Sequence, residues 1–401
     1  MTIGRKVERL SGFVGLVESG ALVLVVYLGL YCRAVRQDWM GLDDYTLLLN
    51  NRHLGDGLAS FLWGLKDLNF GRRWTPMLWT VANFAGDPTV LHFHLLVLVL
   101  GAVFSVLVLL CYREVLSNGW ALFASLVFVC SPMRLEVFAW EMGFVYVTVG
   151  IWLCLAFLLR ARPWGCCYCC MMALCTYPAA AGAVLVAIWI HRRSLAGWVL
   201  AAFLVVIACF QLMVRREIGF VPWHPRFDLV AMVPLHYALS VFVPFATIPV
   251  FPAVWYWPLL LGAAVIGVAW AAKPGVLGVW FVLLSPVFLA AITESFWFGA
   301  RYALVTDLAV YAYLVRVVAG DSGRCRSFLS GCVLLCFVWL NLSDGSYANG
   351  IWGIGMAAVR EARLVGAPVN PLFFRELRLV MIVREAHVRA GLVRETGKKK
   401  P

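Results

Sequence analysis

Charge is scarce in this chain. Asp, Glu, Lys and Arg make up 13% of 401 residues, against roughly 25% in soluble domains. Together with 63% hydrophobic residues and a mean hydropathy of +0.87, this excludes an ordinary water-soluble globule and implies a polytopic membrane protein. Signatures of soluble enzymes are missing too: there is no Walker-type Gly-rich loop, no His-Glu-x-x-His and no Gly-x-Ser-x-Gly. Without a nucleotide-binding signature, ATP or a nucleotide sugar is disfavoured as a donor. No internal repeat, low-complexity tract or Pro/Ser-rich linker divides the chain, so a single bundle is expected.

Acids are fewer than bases, 21 against 33, for a net charge of +12. The bases do not form a nucleic-acid footprint. They sit in short clusters at the ends of apolar runs, at Arg5-Lys6, Arg160-Arg162, Arg192-Arg193 and Arg324-Arg326, which is the pattern of cytoplasmic anchoring. Cysteine is plentiful, at 13 residues, but most of it lies within or beside apolar runs, where it packs as a small hydrophobe. The cluster Cys166-Cys167-Tyr168-Cys169-Cys170 contains Cys-x-x-Cys spacing with no His nearby in the sequence, so packing is expected there rather than metal or redox chemistry.

About 20 apolar residues cross a bilayer. The candidate spans are 11–31, 90–111, 118–131, 142–160, 166–176, 179–190, 195–213, 231–250, 254–271, 276–292, 302–319 and 327–343. The first is too long for a signal-peptide core and reads as a retained span. The fifth and sixth are short and meet at Thr176-Tyr177-Pro178, as a helical hairpin or one kinked span. With Arg5, Lys6 and Arg9 cytoplasmic, the loop 32–89 and the turn 132–141 fall outside, while 112–117 and 161–165 fall inside. Counting back from Arg324-Arg326 puts Glu294–Arg301 outside. The two counts collide at 231–250, where Pro234, Pro244, Pro249 and Pro252 crowd one run. The expected architecture is an all-α membrane bundle of about 10–12 spans over residues 1–343. A polar, basic, helical and peripheral tail at 344–401 follows, which parity places outside and its basic charge inside.

The scarce acids make their placement informative. Asp43-Asp44 lie in the first outer loop, between Trp39 and Tyr45, and Gly71-Arg72-Arg73-Trp74-Thr75-Pro76 follow. Alone, such a pair reads as two solvated loop acids. Arg72-Arg73, however, stand on the face that positive-inside anchoring disfavours, so their charges need another reason to be there. Leu58, Phe61, Leu62 and Leu65 recur at helical spacing, as in a helix along the membrane surface. The second outer loop carries Glu136 and Trp140, four apart and on one face if helical. Glu294 to Tyr302 lead into a later span with Arg301-Tyr302 at its outer mouth. His92-x-His94 sits at a span end and reads as an interfacial belt feature. Glu18 is the main acid inside a span.

These residues, in this order, resemble the GT-C superfamily of integral-membrane glycosyltransferases, which draw sugars from polyprenyl-phosphate carriers. The acidic pair of the first outer loop corresponds to Asp43-Asp44, and a Gly-Arg-x-x-x-Pro-like element to Gly71–Pro76. Pro132, Glu136 and Trp140, with Arg301-Tyr302, are similar to the branch of transmembrane O-mannosyltransferases with TPR tails. The chain departs from that branch at Thr176-Tyr177-Pro178, where a Lys or Gln often precedes the proline, and its own tail has no TPR period. The resemblance implies a transferase with Asp43 or Asp44 as general base or divalent-ion ligand. It implies Arg72, Arg73, Arg301 and Tyr302 at the lipid phosphate, and Glu136 and Trp140 at an acceptor or second-loop site. The partners it implies are a polyprenyl-phosphate-linked sugar, a glycan, lipid or protein acceptor, and the bilayer. A lipid or glycolipid flippase or transporter, or a non-catalytic protein of the same architecture, is the alternative.

Positive-inside counting from both ends predicts that Asp43-Asp44, Glu136 and Arg301 share the non-cytoplasmic face of a cell inner membrane or its equivalent. Cysteines placed at positions 44 and 301 should therefore both react with an impermeant maleimide added from that side. Labelling from opposite sides would disprove a shared site.

Overall fold

In the computed structural model the described residues are 2–32, 35, 90–131, 134–138, 143–177 and 180–217, with single positions at 304, 307, 308, 311, 312, 315, 335 and 338. Among them the fold is all-α. The helices are α1 Thr2–Tyr31, α2 Val90–Arg113, α3 Asn118–Cys130, α4 Arg134–Phe138, α5 Gly143–Leu158, α6 Pro163–Thr176, α7 Ala181–Ile190 and α8 Leu195–Glu217. The expected spans in these stretches appear as separate helices, with ends displaced by a few residues except at α1, which starts at Thr2 rather than at 11. The surface helix expected around Leu58–Leu65, the spans from 231 to 292 and the tail lie outside the described residues.

An apolar chain can hold these helices in hydrocarbon because a helix pairs its backbone polar groups within its own segment. The hydroxyls of Ser19, Ser105, Ser125, Thr148 and Thr176 each donate to the carbonyl four residues back, at 2.7–2.8 Å. Helix ends are punctuated locally. Pro163 opens α6, where its missing N–H costs nothing. Ser194 caps α8, its Oγ accepting from the Gly197 N–H at 3.2 Å while donating to the His191 carbonyl at 2.9 Å. Among the described residues one stretch, His94–Arg113, is by itself long and apolar enough to cross a membrane, and shorter apolar helices accompany it. Val25, Val99, Trp198, Val205 and Val206 point outward and are exposed. Such a run of exposed apolar side chains suits a lipid-facing surface.

The helices run alternately up and down. At one end the turns after α2 and α5 are joined by an ion pair, Arg160 Nη2 to Glu114 Oε2 at 2.8 Å. At the other end Tyr177 packs edge-on against Tyr146, near the start of α5, with ring centroids 5.2 Å apart. The first end carries Arg113, Arg160, Arg162, Arg192 and Arg193 and is called the basic end below. The choice left open at Thr176-Tyr177-Pro178 is decided for the hairpin. Cys166, near the start of α6, meets His191, just past α7, so the two helices are antiparallel.

Two cores result. One joins α1, α2, α3, α4 and part of α5; the other joins α5, α6, α7 and α8. Close approach in the first core depends on missing side chains. Gly150 of α5 lies against the Phe104 ring of α2, and Gly101 of α2 lies against Tyr27 of α1. A Cβ on Gly150 would meet the Phe104 ring at 2.5 Å, whereas nothing lies within 4 Å of one on Gly20. Gly150→Ala should therefore destabilise the detergent-solubilised protein by about 1–3 kcal/mol through overpacking. Gly20→Ala should be neutral or slightly stabilising, since it only removes backbone freedom. Paired thermal melts test the contrast.

Candidate functional site

Most of the candidate residues from the sequence lie outside the described set: Asp43, Asp44, Arg72, Arg73, Trp140, Arg301 and Tyr302. Glu136 is described as part of the backbone of α4. What the structure does describe is the frame around two of these segments, at the end opposite the basic one.

The frame begins where α3 stops. Ser131 ends that helix, and its carbonyl accepts from the Arg134 N–H at 2.9 Å, turning the chain into the single-turn helix α4. Phe138 closes α4 by inserting among aromatic rings. It meets Tyr31 edge-on at 4.9 Å, Tyr27 at 5.0 Å and Phe104 at 6.3 Å. Tyr31 is itself fixed, its hydroxyl donating to the Val129 carbonyl at 2.7 Å. The loop after α3 is thus pinned by α1 and α2, two helices distant in sequence.

Inside this frame sits a fully buried ion pair. Arg134 and Asp307, both 0% exposed, join through Nη2 and Oδ2. The Arg134 guanidinium also lies over the Phe128 ring, 4.7 Å from its centroid. One turn after Asp307, the Tyr311 hydroxyl donates to Ser131 Oγ at 2.9 Å, and its ring meets Phe128 at 6.1 Å. Leu304, Asp307, Leu308, Tyr311, Ala312 and Val315 are all helical and recur at steps of three and four, so they present one face to the bundle. A late helical segment is thereby fastened to the loop between α3 and α5.

The pair is closed to solvent and its charges compensate each other, so it is suited to holding segments together rather than to exchanging protons with a substrate. The segments it holds are two the sequence singled out. Glu136 belongs to α4, and Arg301-Tyr302 stand just before Leu304 in the chain.

Four expectations need correction. Glu18 is not the main acid within a span: it is exposed on α1, whereas Asp307 is buried. A lone Asp in the apolar run Ala303–Tyr311 was the available signal, since an ionisable residue at membrane depth calls for a partner. Arg134, in the turn 132–141 expected outside the membrane, is the largest fully buried side chain described. His94 is buried at 2% exposure rather than displayed in an interfacial belt. The cysteine cluster does have a histidine beside it, because the α6–α7 hairpin brings His191 to Cys166, which also interacts with Cys170. Among the described residues no group of three or more His, Cys, Asp or Glu side chains could hold a metal ion. A divalent ion at Asp43-Asp44 falls outside them.

Comparison with known proteins gives a likeness in outline. Two solved structures of ArnT from Cupriavidus metallidurans are similar to the chain at 14% identity. The one bound to undecaprenyl phosphate has a TM-score of 0.48, covering 95% of this chain and 77% of that one. The apo state has a TM-score of 0.46, covering 96% and 77%. No family model matches the chain, and no curated protein does.

Removing one partner of the buried pair leaves the other charge stranded. Asp307→Ala or Arg134→Ala should cost about 3–5 kcal/mol, while the apolar double variant Arg134→Met/Asp307→Leu should recover most of it. Melting curves of the three variants in one detergent check this. Additive losses in the double variant would contradict direct pairing.

Proposed function

We propose that this protein is a membrane glycosyltransferase of the GT-C type, moving a sugar from a polyprenyl-phosphate carrier to an acceptor on the non-cytoplasmic face. The observation that carries this reading is the buried Arg134–Asp307 pair. It ties the helix containing Glu136 to helical residues around Asp307, six positions after Arg301 in the chain, which supports a reading in which the two motif segments share one end of the bundle. The end opposite the basic turns is the one expected outside.

In this reading the carrier's phosphate sits at the interface, in a fork of donors from Arg72, Arg73 and Arg301, while its tail stays in lipid. Asp43 or Asp44 accepts the proton of an acceptor hydroxyl. The acceptor oxygen bonds to the anomeric carbon, the bond from that carbon to the phosphate oxygen breaks, and the phosphate leaves as an anion. A lone base gives one displacement and therefore inversion. Two carboxylates are too few to hold a hard divalent ion alone, so any such ion would need further oxygen ligands. Glu136 and Trp140 are assigned to the acceptor side.

The flippase or transporter reading gains one point from the structure, because Asp307 and Arg134 are ionisable groups buried within the bundle, as transport pathways require. Its weakness is that the pair is sealed.

The deciding measurement is release of polyprenyl phosphate from a radiolabelled polyprenyl-phosphate sugar in membranes matched for expression. Asp43→Asn/Asp44→Asn should lower turnover by roughly 10²–10⁴. Arg72, Arg73 or Arg301 to Ala should instead weaken donor binding, with only partial rescue by Lys. Full activity in the double Asn variant would falsify the enzyme reading.

A further inference from the structure

The basic end of the bundle contains a feature that sugar transfer at the opposite end does not use. Between α2, α5, α6 and α7 lies a cavity of about 360 Å³, completed by Leu308 and Ala312 of the late segment. Its walls are apolar: Leu153, Phe157, Val186 and Ile190 are typical, and the thiols of Cys111, Cys154, Cys166 and Cys170 add soft, weakly polar surface. A dry pocket of roughly 150 Å³ already takes up a small hydrocarbon in preference to water. This one is more than twice that size and has few groups that could hold water.

One lining residue is charged. Arg160 is 39% exposed, and it is fixed in the cavity wall from three directions. Its Nη2 donates to Glu114 at 2.8 Å, its Nη1 donates to the Phe157 carbonyl at 3.1 Å, and its guanidinium lies over the Phe157 ring at 4.5 Å. Arg113, Arg162, Arg192 and Arg193 belong to the turns of the same end, as does Glu114. An apolar cleft with a cation in its wall matches a hydrocarbon chain attached to an anionic phosphate.

We propose that the cavity seats one acyl chain of an anionic glycerophospholipid from the adjacent leaflet, with its phosphate at Arg160. A phospholipid fits better than a polyprenyl carrier. The charged residue of the cavity wall, Arg160, is at the basic end, away from the end assigned to sugar transfer. Occupancy would couple the α6–α7 hairpin to α2 and α5, because both sides of the hairpin line the cleft. Glu114 competes with the lipid phosphate for Arg160, so the ion pair sets how tightly the lipid is held.

The test is native mass spectrometry of the full chain in detergent, titrated separately with dioleoyl phosphatidylglycerol, dioleoyl phosphatidylcholine and a polyprenyl phosphate. One phosphatidylglycerol should be retained roughly fivefold more tightly than phosphatidylcholine, the value of one basic contact at a membrane surface. Arg160→Gln should erase that preference, Glu114→Gln should strengthen phosphatidylglycerol retention, and Ala183→Phe, which fills the cleft, should weaken retention of both lipids. Because Arg160 and Glu114 form an exposed pair, their variants keep the test decisive if Ala183→Phe does not fold. Equal retention of the two phospholipids by the unaltered protein, or unchanged retention in a folded Ala183→Phe protein, would overturn the proposal. So would displacement of phosphatidylglycerol by the polyprenyl phosphate at lower concentration. None of these readouts depends on transferase activity.

Discussion

A charge buried in an apolar bundle must be neutralised, and Arg134 and Asp307 meet that requirement for each other. Neither side chain reaches solvent, so either alone would carry an uncompensated desolvation cost of several kcal/mol. This makes the pair a constraint on the whole upper frame. The loop after α3 has to return to a fixed place, and the segment around 307 has to dock with its acidic face inward. The Tyr311–Ser131 hydrogen bond and the stacking on Phe128 add direction to an attraction that has little of its own. Hydrophobic packing could join the same elements. It would not fix their register as sharply, since lipid tails offer an apolar surface as good as another helix.

The aromatic nest around Phe138 serves the same purpose from the other side. Tyr27, Tyr31 and Phe104 come from α1 and α2, and all three contact Phe138 at edge-on or tilted angles. Such contacts contribute beyond their buried area. They hold a five-residue helix that is too short to be stable alone. Glu136 therefore rests on a rigid support, and a candidate site that must position a polar group at a membrane surface needs such support.

The basic end is built differently. Its turns are short, its arginines are exposed, and its link across helices is the surface pair Arg160–Glu114, of a kind that contributes little to stability. Rigidity comes from the hairpin α6–α7, whose thiols and small side chains pack closely against α5 and α8. The bundle thus has one end whose charges are buried and one whose charges lie at the surface. The proposed lipid cleft has its one charged wall residue, Arg160, at the second of these ends.

Much of this was legible in the sequence. The apolar runs gave α1, α2, α3, α5, α6, α7 and α8, because a backbone in hydrocarbon must bond within its own segment and has helix as its local solution. The basic clusters marked the ends of those runs, since a cation is cheapest at the interface. The order of Asp43-Asp44, Gly71–Pro76, Glu136 and Arg301-Tyr302 suggested the chemistry. What the sequence left open were the pairings across distance. Arg134 and Asp307 are separated by 173 positions, and neither has a neighbour in the chain that announces the other. Cys166 and His191 meet only because α6 and α7 lie antiparallel, which the Tyr-Pro step alone left ambiguous. Local composition determined which segments are helices and which ends carry charge, for those follow from the solvent each residue meets. Which buried charge finds which partner, and which gap between helices stays open as a cleft, was decided by packing in three dimensions, because those energies exist only between elements brought together.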